Sequence, residues 1–236
     1  MSDAFFRALA RRASRRYKPA GRYARHFAYG KLTRDPVFRH LLQSGSIASC
    51  SRILDLGCGQ GLLAALVAAA HEGDGGPPWP AEWAPAPAPR QMRGIDLLER
   101  DIERARIAAP PEASFECGDI RALPFGEADA VLLLDVLHYL DSAAQDDILD
   151  RVRRALPPGG VLLLRVADAT GSLRSRITLA ADRLAMALRG FRPGPFHCRP
   201  VQAWQRRLAQ GGFRVEARDM SAGTPFANVL LVALAA

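Results

Sequence analysis

The sequence predicts a doubly wound α/β protein, and three observations carry that prediction. From residue 52 onward, short apolar runs alternate with stretches of helical periodicity, the order that builds parallel sheets. Ala128–Asp135 is nearly all apolar, as a central parallel strand covered on both faces requires. Arg52–Leu56 ends in closely spaced glycines and enters the apolar helical run Leu62–His71.

The elements follow in order. Met92–Leu97 reads as the second strand, and Glu99–Ala109 as a helix with charged and apolar residues at helical spacing. Ala113–Cys117 is the third strand and Ala128–Asp135 the fourth. Ala143–Leu156 is a helix stopped by Pro157-Pro158-Gly159-Gly160, and Val161–Val166 is the fifth strand. Ser172–Leu188 and Val201–Gln210 are helical, the second ended by Gly211-Gly212. Phe213–Ala217 and Asn228–Leu234 complete a set of seven strands. Residues 71–90 form a Pro/Gly/Ala-rich insertion that neither helix nor strand accommodates, so a surface loop is expected, pinned by Trp79 and Trp83.

Composition narrows the function classes. A chain of 236 residues, 49% apolar and 24% charged, suits one domain with appendages and is not a disordered chain. Four scattered cysteines make no disulfide framework, and the absence of any CxxC pair removes the usual zinc spacing; no metal is expected. The longest apolar runs fall well short of a bilayer span, and the arginine-studded N-terminus has no apolar segment after it, so a cytoplasmic location is expected. The formal charge of +8 is unevenly placed. Residues 1–45 hold eleven Lys and Arg against Asp3 and Asp35, while the rest of the chain holds 21 basic and 22 acidic residues. The expected organisation is therefore a basic helical arm, 1–45, and a nearly neutral domain, 46–236, with insertions at 71–90 and 168–199.

The chemistry is written at Ile53-Leu54-Asp55-Leu56-Gly57-Cys58-Gly59-Gln60-Gly61. Glycines after a strand let a ligand approach the backbone where a Cβ would collide. The dinucleotide pattern G-x-G-x-x-G needs Gly at position 62, which is Leu62, and no phosphate loop G-x-x-x-x-G-K-[ST] exists. Asp55, two residues before the first glycine, would repel a pyrophosphate and suits a cationic ligand. The G-x-G-x-G stretch resembles motif I of class I S-adenosylmethionine-dependent methyltransferases, a Rossmann-like superfamily.

Four further motifs over residues 46–236 extend that resemblance. These are Gly94-Ile95-Asp96-Leu97, Gly118-Asp119-Ile120, Asp135-Val136-Leu137-His138-Tyr139 and Leu156-Pro157-Pro158-Gly159-Gly160. The resemblance implies S-adenosyl-L-methionine as cofactor and S-adenosyl-L-homocysteine as product. It also implies an antiparallel hairpin of the last two strands, hence a seven-stranded, mostly parallel sheet. The cofactor-binding candidates it marks are Asp55, Gly57, Cys58, Gly59, Gly61, Asp96, Leu97, Asp119, Ile120, Asp135 and Val136. Asp96 would accept both ribose hydroxyls, and Asp119 the adenine amino group. Asp135 is read as orienting the cofactor, and Cys58 as packing.

Since the sulfonium methyl is already electrophilic, the protein must mainly align an acceptor and exclude water. His138 is the candidate catalytic base for a hydroxyl or phenol, its alternative a hydrogen-bonded residue of the pocket wall. Substrate-side candidates are His26, Tyr29, Lys31, Tyr139 and His197. Phe5, Leu9, Ala13 and Tyr17 recur every four residues among arginines, describing a basic amphipathic helix. It is read first as a lid, then as a docking element of residues 1–18 for an acidic carrier protein or membrane surface, and last as a nucleic-acid contact. The stripe Leu173, Ile177, Ala180, Leu184 and Ala187 is expected to pack on the sheet or the arm. Arm and core together are similar to methyltransferases of bacterial aryl-polyene and fatty-acid-like pigment pathways, which implies a small-molecule or carrier-bound acyl acceptor methylated at oxygen or carbon. Two other classes stand beside this reading: an RNA methyltransferase using the arginine-rich arm, and a non-catalytic cofactor-binding module. The Asp/Asn-Pro-Pro-aromatic motif of many amino-methylating nucleic-acid enzymes is absent, which counts against the first.

Overall fold

The computed structural model describes residues 2–72, 78–168 and 194–236, together with residues 177, 178, 180, 183 and 187. The helices are α1 (Ser2–Arg15), α2 (Arg22–Arg34), α3 (Pro36–Ser44), α4 (Leu62–His71), α5 (Glu99–Ala108), α6 (Ser142–Ala155) and α7 (Val201–Gln210). The strands are β1 (Arg52–Leu56), β2 (Gln91–Asp96), β3 (Ala113–Cys117), β4 (Ala130–Leu134), β5 (Val161–Ala167), β6 (Phe213–Asp219) and β7 (Asn228–Ala235). They form one seven-stranded sheet in the order β3-β2-β1-β4-β5-β7-β6. β7 runs antiparallel to both of its neighbours, β5 and β6. The predicted sheet and hairpin are therefore present, and the chain divides into two compact units, Met1–Pro124 and Phe125–Ala236.

In the first unit, β2 pairs in parallel with β1 and with β3, setting Asp55 opposite Gly94 and Asp96 opposite Cys117. Helix α4 is Leu, Ala and Val on every side and is buried from Leu62 to Ala69. Phe5, Phe6, Leu9, Ala10, Ala13 and Ser14 are the buried residues of α1, two adjacent rows at helical spacing. This face packs α1 on α2 and α4. The helix stops at Arg15, so Tyr17 extends the apolar row from a turn rather than from the helix, and is still fully buried.

The arm's arginines have intramolecular work. Arg12 donates to the carbonyls of Ala69 and Glu72 at 2.9 and 2.7 Å, at the end of α4. Arg16 donates to those of Ala108 and Ala109 at 2.8 and 3.1 Å, at the end of α5, and pairs with Glu72. Cations at helix C-termini satisfy orphan carbonyls and complement the dipole. The Pro-rich loop is pinned by its tryptophans as expected, and α1 is what holds them. Phe5 meets Trp79 and Trp83 edge-on at 5.5 and 5.3 Å between ring centres, and Trp83 is buried.

In the second unit, β5 (VLLLRVA) is buried along its whole length, between β4 in parallel and β7 antiparallel. β4 is shorter than the apolar run suggested. Asp135 takes φ of 61°, a left-handed conformation that turns the chain off the strand after Leu134. Asp141 caps α6 by accepting the Ala144 N–H at 2.9 Å. The helix predicted over 172–188 lies largely outside the described residues. Of its apolar stripe, Ile177, Ala180 and Ala187 are helical but exposed, which departs from the expected packing at those positions. Thr178 is buried instead, its hydroxyl accepting the Ala227 N–H at 3.0 Å.

Candidate functional site

The loop after β1 is built around three glycines in left-handed conformations, Gly57 (φ 78°), Gly59 (φ 53°) and Gly61 (φ 74°). A side chain is strained at each. Their neighbourhoods differ. A Cβ on Gly59 would meet nothing within 4 Å, whereas one on Gly61 would lie 2.7 Å from the Phe115 ring. Gly59 borders open space and Gly61 is packed. Gly94 on β2 is also a packing glycine, its Cβ position 2.6 Å from Phe115 and 2.8 Å from the Cys58 sulfur.

The loop is tied to the end of β2. Gly57 and Cys58 donate their N–H groups to the Ile95 carbonyl at 2.7 and 3.1 Å, and Gly59 donates to Asp96 Oδ2 at 2.8 Å. The other Asp96 oxygen accepts the Leu98 N–H at 2.9 Å. These bonds fix the carboxylate's direction, and a carboxylate presents about four acceptor sites. Burial, with the Asp96 charge adding to it, pushes the Asp55 carboxyl up to about 7. The same burial and both aspartates push the Cys58 thiol up, so it stays a neutral packing group. Beside Asp96, Leu97 is 53% exposed, a large apolar side chain at the surface next to a carboxylate.

Asp119 and Ile120 follow β3. Ile120 is buried, and the Asp119 carboxylate is held by Arg121, which donates from its backbone N–H at 2.9 Å and from both Nε and Nη2. Sequence reasoning missed this arginine, although its position two residues on was a signal. It also missed the links from the arm to the loop. Tyr17 donates its hydroxyl to the Gln60 carbonyl at 2.7 Å, and Gln60 Nε2 donates to the Ala24 carbonyl at 3.0 Å. Gln60 is 2% exposed, and its Oε1 meets no donor among the described residues, a cost of about 1–3 kcal/mol.

In the second unit Asp135 is engaged by Arg165 of β5, which donates from Nε to Oδ1 at 2.8 Å and from Nη2 to Oδ2. Arg165 is 2% exposed, and its own carbonyl accepts the Asp135 N–H at 3.3 Å. A lone cation in an apolar strand was the available signal for this pair. Val136 is half-buried and precedes the short 3₁₀ turn Leu137–Tyr139. That turn sets His138 against aromatic rings, Tyr139 at 4.1 Å and Phe196 at 5.1 Å. Burial lowers the His138 pKa, against a smaller opposing effect of Asp135, so the imidazole is neutral at neutral pH. His197 joins this group through its backbone, donating to the His138 carbonyl at 2.9 Å. The fully buried Gln145 gathers the carbonyls of Leu137, Leu140 and His197 on its Nε2.

The arm candidates are less uniform. Lys31 pairs with Asp35 at 2.8 Å, and Asp35 also caps α3, so Lys31 has a helix-supporting partner. Tyr29 is half-buried and His26 exposed. Thus His138, Tyr139 and His197 come together in the second unit, while His26, Tyr29 and Lys31 all lie on α2 in the first.

Comparison with known proteins bears on these arrangements. A family model described as a methyltransferase domain matches residues 7–218. The carboxy-S-adenosyl-L-methionine synthase of Hydrogenovibrio crunogenus is 27% identical over 84 residues, 34% of this chain and 34% of that protein, so the match spans about a third of the curated relative. Among solved structures, magnesium protoporphyrin IX methyltransferase from Synechocystis PCC 6803 with bound SAH superposes with a TM-score of 0.59 at 19% identity, over 88% of this chain and 84% of that one. Human N-acetylserotonin methyltransferase in complex with SAM gives 0.60 at 18%, over 98% and 59%. An S-adenosylmethionine-dependent methyltransferase from Mesorhizobium loti gives 0.58 at 21%, over 84% and 96%. At these identities the structures are alike in fold.

Proposed function

The chain belongs to the methyltransferase-domain family, and from that premise we propose that it transfers the methyl group of S-adenosylmethionine to an oxygen or carbon of a small-molecule or carrier-bound acyl acceptor. The observation that carries the donor half is the glycine loop with its two carboxylates. Gly59 leaves open space where a Cβ would stand, and Asp96, joined by Asp55 as pH passes about 7, offers negative charge to a ligand bearing an ammonium and a sulfonium. Asp96, held by the Gly59 and Leu98 N–H groups, is directed for ribose hydroxyls, and the exposed Leu97 beside it supplies an apolar surface for a base. Asp119 is the acceptor for an exocyclic amino group, with Arg121 its present partner. When bound, the donor supplies an electrophilic methyl, so the chain's own residues have to orient, exclude water and move one proton.

His138 is the group for that proton. A desolvated imidazole is neutral at physiological pH and accepts a proton from a hydroxyl without first losing one. Its ring neighbours Tyr139 and Phe196 favour an apolar or aromatic acceptor over a polyanion. The arm supports the same preference, because Arg12 and Arg16 are spent on helix ends rather than held for phosphates. Exposed Arg11, Arg15 and Lys18 are the places on the arm where an acidic carrier protein would be met.

Calorimetric titration with S-adenosylmethionine tests the donor half, and binding that Asp96→Ala abolishes is expected. A chain that takes up no donor ends the reading. For the acceptor half, formation of S-adenosylhomocysteine with phenolic and fatty-acyl acceptors is measured. His138→Ala should lower kcat on a hydroxyl acceptor by about 100-fold or more while leaving donor affinity unchanged.

A further inference from the structure

We propose that the N-terminal arm shapes the glycine loop through Tyr17 and Gln60, which makes these two residues positioning residues for donor binding; this rests on the reading of that loop as the donor site. The loop is gripped from two sides. From β2 come the Ile95 carbonyl, which takes two loop N–H groups, and Asp96, which takes the Gly59 N–H. From the arm come the Tyr17 hydroxyl on the Gln60 carbonyl at 2.7 Å and the Gln60 side chain on the Ala24 carbonyl at 3.0 Å.

Gln60 is where a second grip matters. It sits between Gly59 and Gly61, both left-handed, and glycines give a peptide more freedom than any other residue. Within the loop, the turn over Gln60 is closed by the Gly61 N–H on the Cys58 carbonyl at 3.0 Å. The arm's two bonds reach the residue at its centre. One holds its backbone carbonyl and the other its side chain, so the residue is fixed at both points. Each bond lies in a dry environment, with Tyr17 fully buried and Gln60 2% exposed. Burial drives the Tyr17 pKa upward, which keeps its hydroxyl a donor at all working pH. The carboxamide is a costly way to fill that space, since its Oε1 meets no donor among the described residues. Stability alone does not account for it, whereas a link between loop and arm does.

Both anchors lie at one junction, Tyr17 just after α1 and Ala24 in the first turn of α2. The arm therefore acts on the donor site as a strut, whether or not it also closes over it. A loop held in its binding shape before the ligand arrives loses less freedom on binding.

The test uses the full chain with Tyr17→Phe, which keeps the ring and deletes the bond, and Gln60→Met, which keeps the volume and deletes the other. Donor affinity is measured by calorimetry with S-adenosylmethionine and S-adenosylhomocysteine, well below the unfolding midpoint. Each variant should bind about five- to tenfold more weakly, the effect of one buried hydrogen bond. KM for the donor should rise with kcat at saturation unchanged. Amide exchange at Gly59 and Gly61 in the ligand-free chain should quicken. A purely structural role lowers the melting temperature and leaves affinity, KM and these exchange rates at wild-type values; that result overturns the proposal while the donor reading stands. A wild-type chain that binds no donor overturns both. If Tyr17→Phe does not fold, Gln60→Met reads the same link from the other side.

Discussion

Replacing Asp55 with Asn should stabilise the ligand-free protein at neutral and alkaline pH while weakening its hold on the donor. Asp55 titrates near pH 7 in the fold because burial, assisted by the Asp96 charge, disfavours its ionised form, against 3.8 for an ordinary aspartate. Between those values the folded chain keeps a proton that the unfolded chain has released. Stability therefore falls as pH rises through this window: the favourable contribution is fully present below 3.8 and lost once pH passes 7. At roughly 1.36 kcal/mol per unit, the ionised side chain costs the fold about 4 kcal/mol at the top of the window, a large share of a typical 5–15 kcal/mol. Asparagine has no charge to bury. The variant should gain on wild type by about 2–3 kcal/mol between pH 5 and pH 8, mostly below pH 7. Urea unfolding at unit steps of pH measures this, and with an m-value of about 1–3 kcal/mol/M the midpoint moves by roughly 1–3 M. Over the same range wild-type affinity for S-adenosylmethionine should tighten as Asp55 ionises, and that of the variant stay weak and flat. A stability gain independent of pH, or a variant that binds donor as wild type does, would refute the reasoning.

Asp135→Asn should cost about 3 kcal/mol in chemical denaturation, because Arg165, 2% exposed, then faces a neutral amide in place of its carboxylate. Adding Arg165→Met should recover most of that loss, and asparagine tolerates the left-handed backbone of residue 135. Two glycines should separate binding from packing. Gly59→Ala has room for its Cβ and should lose about 1–2 kcal/mol to backbone strain, yet bind donor at least about tenfold more weakly. Gly94→Ala puts a Cβ 2.6 Å from Phe115 and should lose about 1–3 kcal/mol of stability.

Local pattern determined a great deal. β1, α4, β3 and α7 have the bounds that periodicity and terminators mark, because each is a short run whose apolar spacing and flanking Gly or Pro agree. The glycine loop was equally legible, since a left-handed backbone selects glycine at the level of the sequence itself. Its companion acids Asp55 and Asp96 could be named for the same reason, each standing at the end of a strand. β4 was read too long because apolar composition does not register a φ of 61° at Asp135.

Partnership was not written in the sequence. The eleven basic residues of the arm suggested a lid or a docking surface. Folding brings two of them, Arg12 and Arg16, to the carbonyl ends of α4 and α5, up to 93 positions away in the chain. Arg165 and Asp135, 30 positions apart, become a pair with the guanidinium buried because β4 and β5 lie side by side. Tyr17, Ala24 and Gln60 belong to three different elements and become one link. An individual residue carries its own backbone preference and its own charge, so the sequence alone determines the glycine loop, the succession of strands and helices along the chain and the sign of the site. A charge or a hydroxyl acquires a role only from what it meets. Those meetings span long stretches of chain, and the tertiary structure alone decides them.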